Sequence, residues 1–501
     1  MSTKNLPQAT DAGHHEGSQQ RKRVAVVGGG VSGLSAAWAL NEHSDHEVVV
    51  FESNDYIGGH TNTVTYEKDG KTTPVDSGFI VANTATYPNL LAFFKLKGIE
   101  LNESEMSFSA SRDAGAFEWS GSGVGAAFAQ TSNILKQDIY VMLYDVFRFN
   151  QYSTDILDKT VGKADRELSI GQYLEKYGYS QSFTDNYLIP MTSCIWSTSP
   201  DKVSLDFPAL TLIRFLYNHH LLQTVNRPPW LTVKNGAVTY IRSITDKMPL
   251  GSVRPNCAVR EVYRANNKVY VKFNDQQEEF DHIIFACHAD TTLEILGTQA
   301  TAEEQRILSN FKFNKNRAIL HSDLSLMPTR RAAWTSWNFM TKSSPESSNI
   351  DSVCLTYWMN NLQHISEEDF GPVLVTLNPL HRPKEETIQG EWDYSHPAFT
   401  PAAVAAQNEL HVIQNQNSTS FAGAWTKYGF HEDGFSSGLS VAMQHLDAKI
   451  PFEFVDATFM RGEKREVTLI DRVARVIFWG SETLFGIGSR VLGFSTKPKS
   501  A

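Results

Sequence analysis

Two stretches at opposite ends of the chain carry residue types that can do chemistry. Close to the N-terminus, Gly28, Gly30 and Gly33 form a GxGxxG turn after the apolar run VAVV and before LSAAWAL. The first glycine permits a tight turn, the second lets a pyrophosphate approach the backbone, and the third lets helix and strand pack closely. Free N–H groups and the positive end of the helix dipole then face the phosphates, with Ser32 inside the same turn. Close to the C-terminus, YGFHEDGFSSG (Tyr428 to Gly438) sets His431, Glu432 and Asp433 beside Gly434. An imidazole can move a proton near neutral pH. The two carboxylates can do the same, or can cap the first turn of a helix.

Those residues need elements to hold them. HEVVVFE reads as the next strand, and Glu52 ends it, about 20 residues after the glycine turn, where the dinucleotide fingerprint places an acid for ribose hydroxyls. A carboxylate there repels a 2′-phosphate and disfavours NADP. GSGVGAA (Gly121 to Ala127) has the wrong spacing for a second site of this kind. Residues 126–222 carry mainly helical periodicity. AVREVYRANNKVYVKF alternates like a hairpin, with Asn266 and Asn267 at its turn. FDHIIFACHA reads as a buried strand, the region around 320–376 as β-structure rich in Trp and Tyr, and AAVAAQNELHVI as a helix.

After Glu52 come FESNDYIGGHTNT and then VDSGFI. Here the sequence resembles the flavin-containing amine oxidase superfamily, whose members follow the ribose-binding acid with a GG turn and a D-x-G segment. YLIPMTSCIWSTSP, FPALTLIRFLYNHHLL, HSDLSLMP with AAWTSWN, and FAGAWTKYGFHEDGF extend the likeness to one subgroup. Its members are FAD-binding oxidoreductases that occur beside, or fused to, cyclopropane fatty acid synthases. The likeness runs over about residues 23–446.

The resemblance implies FAD. Gly59, His60 and Gly78 would then lie along its pyrophosphate and ribityl chain, His60 standing where the superfamily commonly has an arginine. Val259 would meet the adenine through its backbone, and Gly423 the pyrophosphate side. A helix beginning near Gly434 would aim its N–H groups at the flavin N1–C2=O edge, with Asp433, Gly434 and Phe435 as cofactor contacts. His431 would replace an aromatic residue that faces the flavin in amine oxidases, so His431 and Glu432 are the expected catalytic residues. Lys315 and Arg317 both lie near the expected position of a lysine by flavin N5. No cysteine lies between Phe421 and Leu446, so the FAD is expected to be non-covalent. Trp196 is the expected wall of the substrate cavity.

The resemblance and the residue patterns together predict an α/β fold: a Rossmann-type FAD-binding domain of discontinuous segments with an inserted α+β substrate domain. Residues 1–20 read as a disordered N-terminus. Residues 21–110, 228–300 and 405–450 are assigned to FAD, 111–227 and 301–404 to the helical and sheet parts of the substrate domain. Residues 451–501 form an amphipathic tail, packing on its own domain or touching a membrane peripherally. The expected activity is hydride abstraction from an unsaturated or modified fatty acyl substrate by oxidation, desaturation or isomerisation. The alternatives are an amine oxidase making imine and hydrogen peroxide, or a non-catalytic FAD-binding scaffold for a lipid-modifying enzyme.

Composition bounds the partners. The 501 residues are 41% hydrophobic and 20% charged, with a formal net charge of −10, which disfavours nucleic acid as a partner. The four cysteines are widely spaced, as expected of reduced thiols in a cytoplasmic protein. Adjacent His219 and His220 point to different faces of a helix, and no metal is assigned.

Overall fold

The apolar run Arg23–Val27 is the central strand of a five-stranded parallel sheet in a computed structural model of the chain. The structure describes residues 21–123, 125–196, 203–223, 227–343 and 350–491. The strand order is Val253–Arg254, Glu47–Phe51, Arg23–Val27, His282–Phe285 and Thr419–Phe421. Every neighbour is parallel. Parallel strands buried on both faces read as continuous apolar runs. Val24, Val26, Val48 and Val50 enter one core, and Ala25, Val27, Val49 and Phe51 the other.

The first core lies under two helices, Val31–His43 and His431–Leu446. The second lies under an antiparallel sheet of Val259–Ala265, Lys268–Phe273 and Gln276–Phe280. Asn266 and Asn267 turn that hairpin with φ of 53° and 59°, the left-handed pair a two-residue hairpin loop requires.

A seven-stranded sheet stands beside this unit. Its order is Ile388–Ala398, Lys312–His321, Leu374–Leu377, Ile350–Trp358, Trp337–Ser343, Phe108–Arg112 and Phe117–Ser120. Strand Phe108–Arg112 starts inside the stretch assigned from sequence to the first FAD segment, so the boundary at residue 110 cuts a strand. Helices Gln137–Tyr152, Ile170–Lys176 and Ala209–Asn218 form a third layer around Phe149, Phe183, Phe215 and Leu216.

The C-terminal helix of the first unit begins at His431, three residues before Gly434. Its glycines face the Val31–His43 helix. A Cβ on Gly434 would stand 2.7 Å from Val31 Cγ1 and 3.0 Å from Ser32 Oγ, and one on Gly438 would collide with the Ser32 carbonyl. Gly438→Ala is therefore expected to cost about 1–3 kcal/mol of stability through overpacking, measured by denaturant unfolding. Gly480→Ala, on a helix where a Cβ meets nothing, is expected to leave stability unchanged or slightly raised.

Candidate functional site

The two chemistry-bearing stretches meet along one cavity of about 510 Å³. At its first end the backbone itself is the wall. Gly28 has φ +110°, and a Cβ there would lie 2.8 Å from the Ala286 carbonyl oxygen. Gly30 pairs with Gly58 as an isolated bridge, bringing Gly59 against the first turn. Gly33 does not line the cavity; it lies against the Gly28 carbonyl and lets the helix sit on the strand.

Glu52 is buried at the end of its strand. Its Oε2 accepts the Gly29 N–H at 2.8 Å and its Oε1 accepts the Asn54 N–H at 2.8 Å. Oε1 also accepts the Ser53 hydroxyl at 3.2 Å, and Oε2 keeps acceptor capacity for a ribose hydroxyl. Gly28, Gly30, Ser32, Glu52, Gly59, His60, Gly78, Val259 and Gly423 all line this cavity. His60 Nε2 is buried without a hydrogen-bond partner. The glycine cradle, the acid at the strand end and this orphaned nitrogen fit a dinucleotide. Cys287 lines the same wall, and burial pushes its thiol up to about 11, so it stays protonated.

His431 reaches the cavity from the first turn of its helix. Its ring stacks on Phe79 with centroids 3.7 Å apart. Its Nε2 shares a hydrogen bond with the Tyr240 hydroxyl at 2.5 Å and lies 3.2 Å from Thr61 Oγ1. Burial lowers its pKa to about 3. The imidazole is thus neutral, fixed in orientation and weakly basic, which suits a polar wall better than a proton acceptor at neutral pH.

Asp76, from the D-x-G segment, holds Tyr240 in place. It accepts the Ala237 N–H at the start of the Val238–Thr245 helix, the Thr63 hydroxyl at 2.5 Å and the Gln363 amide at 2.7 Å. Sequence reading missed Tyr240 because nothing local ties it to His431, 191 residues away.

The other expected residues of the C-terminal turn lie elsewhere. Glu432 is 2% exposed, and its carboxylate accepts the Asn89 and Leu90 N–H groups, each at 3.0 Å. These begin the Pro88–Lys97 helix, so Glu432 caps a neighbouring helix instead of facing the cavity. Burial raises its carboxyl to about 7, against the pull of those amides. Asp433 accepts the Phe430 N–H at 3.0 Å and caps its own helix. Gly434 faces Val31, and Phe435 is fully buried against Phe93, with ring centroids 5.2 Å apart. Neither borders the cavity. Lys315 and Arg317 are exposed on their strand, with Arg317 paired to Glu391 and Asp393. Between them Asn316 turns inward and its amide meets His396 Nδ1 at 2.8 Å. The Trp196 side chain lies outside the described residues.

Tyr394 and His396 also line the cavity, as do Ile80, Val81, Met106, Phe215, Leu221 and Trp337, whose side chains make up its apolar chamber. His60 and His396 have ring centroids 5.1 Å apart, and His288 stacks on Phe313 at 4.2 Å. Among the described residues no group of His, Cys, Asp and Glu is arranged to hold a metal.

Residues 31–321 match the family model described as flavin containing amine oxidoreductase. The chain is 24% identical over 286 residues to 15-cis-phytoene desaturase of Arabidopsis thaliana, covering 54% of this chain and 48% of the desaturase. It is 49% identical over 49 residues to an L-amino-acid oxidase of Pseudechis australis, covering 10% and 9%. The chain thus spans half the length or less of these curated relatives. Similar solved structures include a CLA-producing fatty acid isomerase from P. acnes, with TM-score 0.57, 13% identity and coverage of 84% and 98%. Cyclohexylamine oxidase from Brevibacterium oxydans IH-35A gives TM-score 0.60 at 14% identity, covering 85% and 99%. At these identities the likeness shows the fold.

The pH response of one cavity histidine follows from its burial. His396 has a folded-state pKa lowered from 6.5 to about 4, so its stabilising neutral form is present above pH 6.5 and lost as pH falls through about 4. The stability difference between the wild type and His396→Asn is expected to be constant above pH 6.5. Below it, the difference should shift in favour of the variant towards pH 4, as read by urea unfolding at each pH.

Proposed function

The chain belongs to the flavin containing amine oxidoreductase family and is an FAD-dependent oxidoreductase, and we propose that it removes hydride from a hydrophobic fatty acyl lipid, not from an amine. The observation that carries this reading is the charge preference of the cavity. His60, His219, His288, His396 and His431 all line it, and burial lowers the pKa of each. Burial that disfavours the charged form of five imidazoles also disfavours a substrate ammonium beside them. The apolar walls of the chamber suit an acyl chain. The Trp337 indole N–H, buried without an acceptor, suits a neutral acyl oxygen.

The relatives are named for both chemistries, a fatty acid isomerase and a phytoene desaturase on one side and amine and amino acid oxidases on the other. The lining favours the first group. FAD supplies the hydride acceptor. The chain's own residues would hold it, with the Gly28–Gly30 turn at the pyrophosphate and Glu52 at the ribose. The first-turn N–H groups of the helix at His431 have no partners within that helix and would stabilise negative charge gathering in front of them. His431, pinned by Tyr240 and Phe79, would fix a polar edge beside the reacting carbon while the chamber excludes water.

The test is anaerobic. The purified yellow protein is mixed in turn with primary amines, polyamines and unsaturated fatty acyl lipids, and its flavin absorbance is followed. Bleaching by a lipid and by no amine is the expected result. Bleaching by an amine overturns it. If nothing bleaches, product analysis of the lipid sample decides: a shifted double bond keeps the lipid reading as isomerisation, and unchanged lipid rejects it.

A further inference from the structure

The Leu469–Val491 helix is packed inside out. A helix resting on its own domain buries its apolar stripe and shows its charges to water. Here Asp471 and Arg475 face the protein. Asp471 is buried, receives the Thr468 N–H at 2.9 Å and pairs with Arg465. Arg475 turns inward to pair with Asp155 at 2.7 Å and to donate to the Gln151 carbonyl at 2.7 Å. Phe478 completes this inner face against Tyr144 and Tyr152 of the Gln137–Tyr152 helix.

The opposite face is apolar and open. Leu469 is 77% exposed, Ile470 80%, Val473 55%, and Val476 and Ile477 66% each. These five recur at helical spacing on one side, about 180° from Asp471 and Phe478 at 100° per residue. Trp479, 67% exposed, and Arg472, also exposed, flank the stripe. In the sequence the same spacing continues through Leu484, Ile487 and Val491. The underlying helix extends the surface: Phe147, one turn beyond Tyr144, is 51% exposed. At 23 residues the helix is roughly 34 Å long, and no described helix is long and apolar enough to cross a membrane.

We propose that this helix lies flat on an anionic lipid surface, with Leu469, Ile470, Val473, Val476 and Ile477 in the acyl boundary and Arg472 at the headgroups. Charge selects this occupant over a second copy of the chain. Residues 468–501 hold five Lys and Arg against two Asp and Glu, while the whole chain carries −10. A second copy would bring its own net negative body to the interface, whereas an anionic membrane attracts this basic, apolar segment. The surface orients the molecule usefully as well. The helix rests on the same layer of helices that supplies Phe215 and Leu221 to the apolar chamber.

The experiment is vesicle flotation of the full-length, FAD-loaded protein with phosphatidylcholine alone and with phosphatidylcholine mixed with phosphatidylglycerol. Binding to the anionic vesicles, weakened by salt, is expected. Ile477→Asp should lower the bound fraction about tenfold or more, and Arg472→Glu about fivefold on anionic vesicles only. Both variants should keep their flavin spectrum and melting temperature, which excludes misfolding as the cause. Absence of flotation with either vesicle overturns the proposal. So does a wild-type dimer in sedimentation that Ile477→Asp converts to monomer, since the stripe would then be covered by another copy.

Discussion

Two helices drawn from opposite ends of the chain touch closely enough that no side chain fits between them. Gly434 and Gly438 lie against Val31, Ser32 and Ser35, and this contact decides where the cavity is. Each helix begins at the cavity wall, one after Gly30 and the other at His431. Their first-turn N–H groups are the positive ends of two dipoles. Bringing them together creates a place where negative charge is favoured twice over. That place suits an anionic ligand.

The distribution of acids follows from the same constraint. Asp76, Glu432 and Asp433 are buried close by, yet each is spent on a backbone amide and none opens onto the cavity. Asp76 anchors the helix of Tyr240, Glu432 anchors the Pro88–Lys97 helix, and Asp433 closes the turn that presents His431. Further carboxylates facing the cavity, beside Glu52 and Asp393 that line it, would add negative charge there and draw protons onto the five imidazoles. With these three acids turned away, burial keeps the neutral form of the imidazoles favoured. Glu432 illustrates how strict the division is: it neighbours His431 in sequence, but helical geometry sends the two side chains 100° apart.

What the sequence could reveal depended on range. The glycine turn and Glu52 belong to one strand–turn–helix–strand unit whose spacing marks them, whereas Gly59, Gly78 and Gly423 were legible only through the family resemblance; all but Gly33 line one cavity. The C-terminal turn was harder. The helix starts at His431 and not near Gly434, so Gly434 and Phe435 rotate onto the neighbouring helix and the core. Asn316 and His396 meet because strands Lys312–His321 and Ile388–Ala398 pair in antiparallel register, Asn316 opposite Tyr394. No local pattern encodes that register, and a one-residue slip would have sent Lys315 or Arg317 inward instead. Tyr240 was invisible for the same reason: its partner is supplied by tertiary packing.

The Leu469–Val491 helix shows the opposite case, in which periodicity was legible but its direction was not. A 3.6-residue apolar stripe tells that a helix has two faces, and burial normally decides which one turns inward. Here the ion pair of Arg475 with Asp155 and the edge-on contacts of Phe478 with Tyr144 and Tyr152 hold the face that carries Asp471 and Arg475 down. An exposed pair of this kind contributes little by itself, roughly 0–1 kcal/mol, much less than burying five aliphatic side chains would. The arrangement leaves a large apolar free energy unclaimed by the fold. On the proposed reading, an apolar surface on the same helical layer would give substrate and docking surface a common chemistry, that of the lipid acyl chain.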